Sequence, residues 1–167
     1  MKTVTQKMTF DSPPERVFET MDDLGVTGMH MTQSSAMMAG SKFRLTFLTS
    51  QQKGTGTCYR WYGNFLGMKI DFTVVVTRWI YGIEKVWETV GKPRLLIFSW
   101  FSMYLHTTKL TNGTLAELSI SYKKPNGWFF RLVSALFAKK YCRWCLNNMF
   151  EDTRRKLQEN RIRLSQF

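Results

Sequence analysis

The chain has 167 residues, a formal net charge of +12 and an aromatic share of 15%. This length suits one domain with a sizeable core, so we expect a single domain over residues 1–167. Three cysteines cannot all pair, which argues against a disulfide scaffold, and no apolar run is long enough to span a bilayer. The first ten residues alternate polar and apolar, unlike a signal peptide. We therefore expect a cytoplasmic protein with reduced thiols.

One strand and two short helices are predicted first along the chain. Residues 3–10 alternate between polar and apolar side chains, which indicates a half-buried strand. Residues 11–15 read Asp-Ser-Pro-Pro-Glu, a pattern typical of a helix start. A second short helix or loop is expected over residues 26–40. Its methionines are interpreted either as core or as an adaptable gate over a ligand site: Met29, Met31, Met37 and Met38.

From residue 41 onward the pattern changes to that of a sheet. Six alternating or apolar runs are predicted to be strands: residues 42–47, 59–62, 70–80, 84–90, 95–110 and 115–124. Turn residues separate them, among them Gly91-Lys92-Pro93, and the Asn112-Gly113 pair favours a tight hairpin. Because the connections are short, the strands should form an antiparallel meander.

The last predicted element is a helix from Trp128 to about Leu164, which contains neither proline nor glycine. At ~1.5 Å per residue it would be ~50 Å long. Residues at spacings of three and four should share the face that covers the sheet: Phe130, Val133, Phe137, Tyr141, Trp144, Cys145 and Asn148. A straight helix and a curved sheet do not close fully on each other, so a gap that can hold a ligand is expected.

This order of elements resembles that of the START-like (SRPBCC) superfamily, which includes polyketide cyclases, pollen-allergen-type proteins and coenzyme-Q-binding proteins. Residues 10–18 are similar to that family's first strand-to-helix passage, and residues 56–61, 86–91 and 141–145 are similar to poorly characterised bacterial members. The resemblance implies an α+β helix-grip fold. In that fold a curved antiparallel sheet of about seven strands wraps around a long C-terminal helix, and two short helices follow the first strand. The superfamily hosts binders, carriers and enzymes, so the fold leaves the activity open.

Aromatic and polar-tipped residues are the candidates for lining the gap. On the last helix, Tyr141, Trp144 and Asn148 each carry a polar group that burial would leave unpaired without water or a ligand. On the strands, the two-residue period places Tyr59, Trp61 and Trp87 inward, because charged residues beside them favour water.

The strand over residues 95–110 is apolar on both faces, so its orientation is open. Either of two sets points inward: Trp100, Tyr104 and His106, or Phe101, Met103 and Leu105. The first set is included among the candidate cavity residues.

Few residues suggest chemistry. His106 is a weak candidate for a general base, and His30 is the other histidine. Cys142 and Cys145 have a CxxC spacing, but they lie inside a predicted helix and not at a helix N-terminus, where redox motifs stabilise a thiolate. The histidines and cysteines form no recognised metal-ligand spacing, so neither a metal nor another cofactor is predicted.

Three functions are compatible with these patterns. The leading hypothesis is the binding or transport of an apolar or amphipathic small molecule, lipid-like or polyketide-like. The second is an enzyme of the polyketide cyclase or aromatase type, in which His106, Tyr59 or Tyr104 would move protons. The third is an interaction module whose basic C-terminal helix docks on an anionic membrane or a ribosome. The positive charge lacks a nucleic-acid-binding motif, so a nucleic acid partner is not expected, and the oligomeric state stays open.

Overall fold

A computed structural model describes residues 1–32 and 43–164 of the chain. The helices are α1 (Pro14–Asp22), α2 (Leu24–Thr27), α3 (Met29–Thr32) and α4 (Trp128–Leu164). The strands are β1 (Lys2–Phe10), β2 (Phe43–Phe47), β3 (Cys58–Phe65), β4 (Met68–Ile80), β5 (Glu84–Arg94), β6 (Trp100–Leu110) and β7 (Gly113–Lys123). Two residues of the predicted methionine gate, Met37 and Met38, lie outside the described residues.

The seven described strands form one antiparallel sheet in the order β1-β7-β6-β5-β4-β3-β2. Each strand from β2 to β7 pairs with its neighbour in the chain, and β1 pairs with β7. The predicted meander and the helix-grip fold are therefore confirmed. The second short helix or loop was predicted over residues 26–40, and residues 33–40 lie outside the described ranges. In the described part, two four-residue helices, α2 and α3, are separated by Gly28.

Strand boundaries differ from the prediction at two places. The segment Gly91-Lys92-Pro93 is not a turn, because Gly91 takes a φ of 71° and the β4–β5 register shifts there, so that β5 continues to Arg94. The strand expected from residue 95 begins only at Trp100, and residues 95–98 form an irregular segment.

The predicted hairpin at Asn112-Gly113 is confirmed, with Leu110 paired to Gly113 across a two-residue loop. Gly113 has a φ of 114°, and a Cβ at this position would lie 2.1 Å from the carbonyl oxygen of Phe10. Only glycine fits both the left-handed conformation and the close approach of β1, so this residue fixes the β6–β7 register.

The core is filled where α4, from Ala138 onward, meets β1, α1 and the inner face of the sheet. The helix buries Ala138, Cys142, Leu146, Met149 and Phe150 there. The rings of Phe150 and Phe10 have centroids 6.0 Å apart, which ties α4 to β1. No helix within the described ranges is both long enough and apolar enough to cross a bilayer.

The first turns of α4 are not packed against the sheet. Phe130 and Phe137 belong to the face that was predicted to cover the sheet, and their side chains are 40% and 55% exposed. Val133 and Phe137 of that face line the space between the helix and the sheet. This space is the site described next.

Candidate ligand cavity

A cavity of ≈ 640 Å³ lies between α4, the short helices α2 and α3 and the inner face of the sheet. Its volume falls within the range of ~300–1,000 Å³ that is common for small-molecule sites. The residues that line it are Leu24, Thr27, Gly28, Met31, Phe43, Tyr59, Trp61, Phe65, Leu66, Ile70, Phe72, Val74, Trp87, Leu95, Leu96, Ile97, Phe98, Phe101, Met103, Ile120, Val133, Phe137, Lys140, Tyr141, Cys145 and Met149. Apolar side chains dominate this list, so the cavity favours a ligand with a large apolar body.

Four of the predicted cavity residues line this space: Tyr59 and Trp61 from β3, Trp87 from β5 and Tyr141 from α4. Tyr59, Trp61 and Trp87 point inward, as the two-residue strand period predicted. Each of these side chains is at most 5% exposed. Trp87 also accepts a cation–π contact from Lys85, whose Nζ lies 5.0 Å from the ring centroid. The strands thus hold three large rings against one wall of the cavity.

The two phenol groups supply polar contacts inside this apolar space. Neither the Tyr59 nor the Tyr141 hydroxyl forms a hydrogen bond with another residue in the described ranges. Burial raises the pKa of both tyrosines above the ordinary value of 10.0. Both phenols therefore stay protonated near neutral pH and can donate a hydrogen bond to a ligand oxygen, but neither can act as a base.

Lys140 brings a charge to the edge of the cavity. Its side chain is exposed and also lines the cavity, so it lies where the cavity meets solvent. It forms no ion pair with any residue that the structure describes. The ammonium group can therefore pair with an anionic end of a ligand whose apolar part lies deeper. Sequence reasoning missed this residue, because it treated the cations of the helix as its solvated face.

Trp100, Tyr104 and His106 do not line the cavity, so the choice of the first set on β6 was wrong. The second set is the inward one: Phe101 and Met103 line the cavity, and Leu105 is fully buried. On the outer face, Tyr104 donates to Glu84 Oε2 at 3.3 Å and stacks with His106 at 6.1 Å.

Trp100 lies on the same outer face, where the Lys123 ammonium is 5.2 Å from its ring centroid. The register explains the orientation of β6, because Met103 pairs with the inward Trp87 and with the buried Ile120.

Trp144 and Asn148 also lie away from the cavity. Asn148 Nδ2 donates to the Trp144 carbonyl oxygen at 2.7 Å, so the helix itself provides the partner that we expected from water or a ligand. Trp144 is half-buried, and its ring is 5.7 Å from that of Tyr141. It can support the position of Tyr141 without reaching the cavity.

Sequence reasoning also missed the segment of residues 95–98, which contributes Leu95, Leu96, Ile97 and Phe98 to the cavity. The available signal was the run of apolar residues without a two-residue period, which is poorly suited to one half-exposed strand. Of the methionines, Met31 lines the cavity. The side chain of His30 lies outside what the structure describes.

The three cysteines, all within the described ranges, form no disulfide, and the CxxC pair lies inside α4. Burial raises the pKa of Cys142 to about 12 and that of Cys145 to about 12. A redox-active cysteine pair needs a thiol whose pKa is lowered, so that the thiolate is stabilised. The raised pKa values of Cys142 and Cys145 therefore argue against a redox role. Among the described residues, no group of three histidine, cysteine or acidic side chains could hold a metal ion.

Cys142 and Cys145 are expected to resist iodoacetamide at pH 8 in the folded protein. With a pKa of about 12, each would carry a thiolate fraction of about 10⁻⁴ at that pH. Mass spectrometry of peptides after timed alkylation measures this, and the same reaction in urea serves as the control. Alkylation of either residue at the rate of an unfolded cysteine would contradict the burial of this pair.

Comparison with proteins of known structure gives independent support for the fold. No family model and no curated protein matches the sequence. Among solved structures, TTHA0849 from Thermus thermophilus has a TM-score of 0.71 at 16% identity, over 95% of this chain and 99% of that one. Ginseng major latex-like protein 151 from Panax ginseng has a TM-score of 0.60 at 12% identity, over 93% and 96%. The Zhui aromatase/cyclase from Streptomyces sp. R1128 has 0.55 at 14%, over 91% and 86%. The chain therefore has the same helix-grip fold as these three structures.

Proposed function

We propose that this protein binds an apolar or amphipathic small molecule in the cavity between α4 and the sheet. The observation that carries the proposal is a cavity of ≈ 640 Å³ whose lining is almost entirely apolar or aromatic. Apolar surface of this extent is costly to leave hydrated, and transfer of a ligand's apolar body out of water would stabilise the complex.

The polar groups narrow the chemistry of the ligand. Tyr59 and Tyr141 offer two hydrogen-bond donors within the cavity, and Lys140 offers a positive charge at its edge. A molecule with one anionic end and an apolar or aromatic body would engage all three. Lipid-like acids and polyketide-like acids both have this form.

Retention of a ligand during purification is the direct test. Native mass spectrometry of freshly purified protein, followed by organic extraction, should find a bound compound with an apolar body. An empty protein that also fails to bind any member of a broad panel of fatty acids and aromatic acids would contradict the proposal. The denatured protein serves as the control for non-specific carry-over.

The Lys140→Ala variant is expected to bind 1-anilinonaphthalene-8-sulfonate about three- to tenfold more weakly than the unchanged protein. The dye has an aromatic body and one sulfonate, so it samples both parts of the site. Lys139→Ala is the matched control, since Lys139 is the next residue on α4 and does not line the cavity. Fluorescence titration gives both affinities. Equal weakening by the two variants would assign the effect to overall charge and remove Lys140 from the site.

The enzyme alternative, of the polyketide cyclase or aromatase type, has less support from the site. Three residues were candidates for proton transfer, and of these His106 and Tyr104 lie on the outer face of the sheet. Tyr59 lines the cavity, but burial raises its pKa, so its hydroxyl stays protonated and does not act as a base. Ligand binding, unlike catalysis, requires no group that transfers a proton, so binding is the function that we propose.

A further inference from the structure

We propose that the first half of α4 is a docking surface for an anionic membrane, which places the edge of the cavity against the bilayer. The docking surface consists of four exposed apolar residues and four cations: Trp128, Phe129, Leu132, Leu136, Arg131, Lys139, Lys140 and Arg143. This proposal does not depend on what the cavity binds, because docking can be measured on protein without a ligand.

The apolar residues are unusually exposed for their size. Trp128 is 80% exposed, and Phe129, Leu132 and Leu136 are 55%, 52% and 59% exposed. Phe129, Leu132 and Leu136 follow one another at spacings of three and four, so they share a single helix face. Val133 lies four residues after Phe129 and three before Leu136, so it borders this face, and it lines the cavity. The exposed apolar residues therefore lie beside the edge of the cavity, a pattern that points to an apolar environment outside.

The cations of the docking surface differ from those further along α4. In the second half, Arg154, Arg155, Lys156 and Arg161 each form an ion pair with an acidic residue. Earlier in α4, residues 128–150 contain four cations and no acidic residue. None of these four pairs with an acidic group in the described part of the chain. Four uncompensated positive charges beside exposed apolar residues complement a bilayer whose headgroups are anionic.

The order of residues along the helix fits the depth profile of a membrane surface. Leu132 and Lys140 are eight residues apart, which corresponds to ~12 Å along an α-helix. Amphipathic segments bury their apolar side ~5–10 Å below the headgroups. A tilted α4 can therefore place its first turns among the acyl chains while Lys139 and Arg143 remain at the level of the phosphates.

A second element contributes apolar residues at the edge of the cavity. Leu66, in the turn between β3 and β4, is 68% exposed and lines the cavity, as Phe137 of α4 does. Met68, at the start of β4, is 42% exposed. A bilayer can cover both elements at once and would bring lipid-like molecules to the opening.

Other partners fit this surface less well. A nucleic acid would engage the cations but would leave Phe129, Leu132 and Leu136 exposed to water. A second copy docked on the same face would bring two groups of four unpaired cations together, which is unfavourable. An anionic bilayer satisfies both the apolar residues and the charges.

Co-sedimentation with vesicles tests the proposal. The protein should bind phosphatidylcholine vesicles that contain about one-third phosphatidylglycerol, and should bind pure phosphatidylcholine at least about tenfold more weakly. A Leu132→Asp and Leu136→Asp double variant should lose at least about tenfold in binding. A Lys139→Glu and Arg143→Glu double variant should lose at least about 20-fold, since each membrane-facing cation contributes about fivefold.

Matched control variants are available at the C-terminal end of β6. Leu110→Asp and Lys109→Glu change an exposed leucine and an exposed lysine near the β6–β7 hairpin, away from the start of α4. They should bind vesicles as the unchanged protein does, and circular dichroism should show that every variant is folded. Equal binding to neutral and anionic vesicles, or unchanged binding of either double variant, would overturn the proposal. So would a dimer in sedimentation that Leu132→Asp with Leu136→Asp converts to a monomer.

Discussion

Replacement of Asp22 by alanine is expected to lower the free energy of unfolding by about 3–5 kcal/mol. Asp22 at the end of α1 forms an ion pair with Lys85 of β5 at 2.6 Å, and the two side chains are only 3% and 4% exposed. Removal of the carboxylate leaves the Lys85 ammonium buried without a counter-charge. Such an isolated charge costs far more than the loss of an exposed pair.

A second contact increases the cost. Trp79 Nε1 donates to the other carboxylate oxygen of Asp22 at 3.0 Å, so the variant also leaves this indole without its acceptor. Through these two bonds Asp22 fastens α1 to β4 and β5. The helix would then be held mainly by its apolar residues, such as Val17 and Phe18.

The variant should also acquire a characteristic pH dependence. Burial lowers the pKa of Lys85 from its ordinary value of 10.5, and Asp22 opposes this shift. Without Asp22 the pKa of Lys85 in the folded state falls further, while the unfolded chain keeps its ordinary value. The unfolded chain then binds more protons, so the variant is least stable below the folded pKa and gains stability as the pH rises toward 10.5.

Urea unfolding followed by tryptophan fluorescence measures these effects at several pH values. Glu117→Ala is the matched control, since Glu117 pairs with Lys7 at 2.6 Å on the exposed face and should cost less than about 1 kcal/mol. The Asp22→Leu, Lys85→Met double variant should recover much of the loss, because it removes both charges. A double variant as unstable as Asp22→Ala alone would show that the uncompensated charge is not the cause.

The sequence predicted the sheet well because most of its strands alternate polar and apolar residues and are separated by recognisable turns. The two-residue period also gave the inward orientation of Tyr59, Trp61 and Trp87, since each has a charged or polar neighbour that favours water. It could not orient β6, where both faces are apolar. There the pairing of Met103 with Trp87 and Ile120 decides the orientation, and this information lies in the neighbouring strands.

A similar limit applies to the first turns of α4. A helical spacing of three and four identifies one buried face only where the opposite face is polar. Phe130 and Phe137 lie on one side there and Phe129, Leu132 and Leu136 on another. The pattern placed Phe137 on the side that faces the sheet, but it could not show that the helix stands away from the sheet and leaves this ring 55% exposed. The ion pair of Asp22 and Lys85 had no sequence signal either, because its members are far apart along the chain.

Two tryptophan substitutions on β7 are expected to separate stability from ligand binding. Ile120→Trp should mainly weaken binding, and Leu118→Trp should mainly lower the free energy of unfolding. Ile120 and Leu118 both point inward and are 3% and 0% exposed, but only Ile120 lines the cavity formed by the described residues. Ile120→Trp can extend its ring into empty space, so it should change the free energy of unfolding by less than about 1.5 kcal/mol. Leu118→Trp has no such space and should cost about 3 kcal/mol, the upper part of the range for overpacking.

Binding of 1-anilinonaphthalene-8-sulfonate should be weakened by Ile120→Trp, the variant that costs less stability. The Ile120→Trp ring occupies volume that the dye's apolar body needs, so its affinity should fall at least about tenfold even though the protein stays folded. Fluorescence titration and urea unfolding on the same samples separate the two effects. If both variants were equally destabilised, Ile120 would face packed side chains and not a void. If Ile120→Trp bound the dye unchanged, the dye would occupy another part of the molecule, and the cavity would lose its place as the binding site.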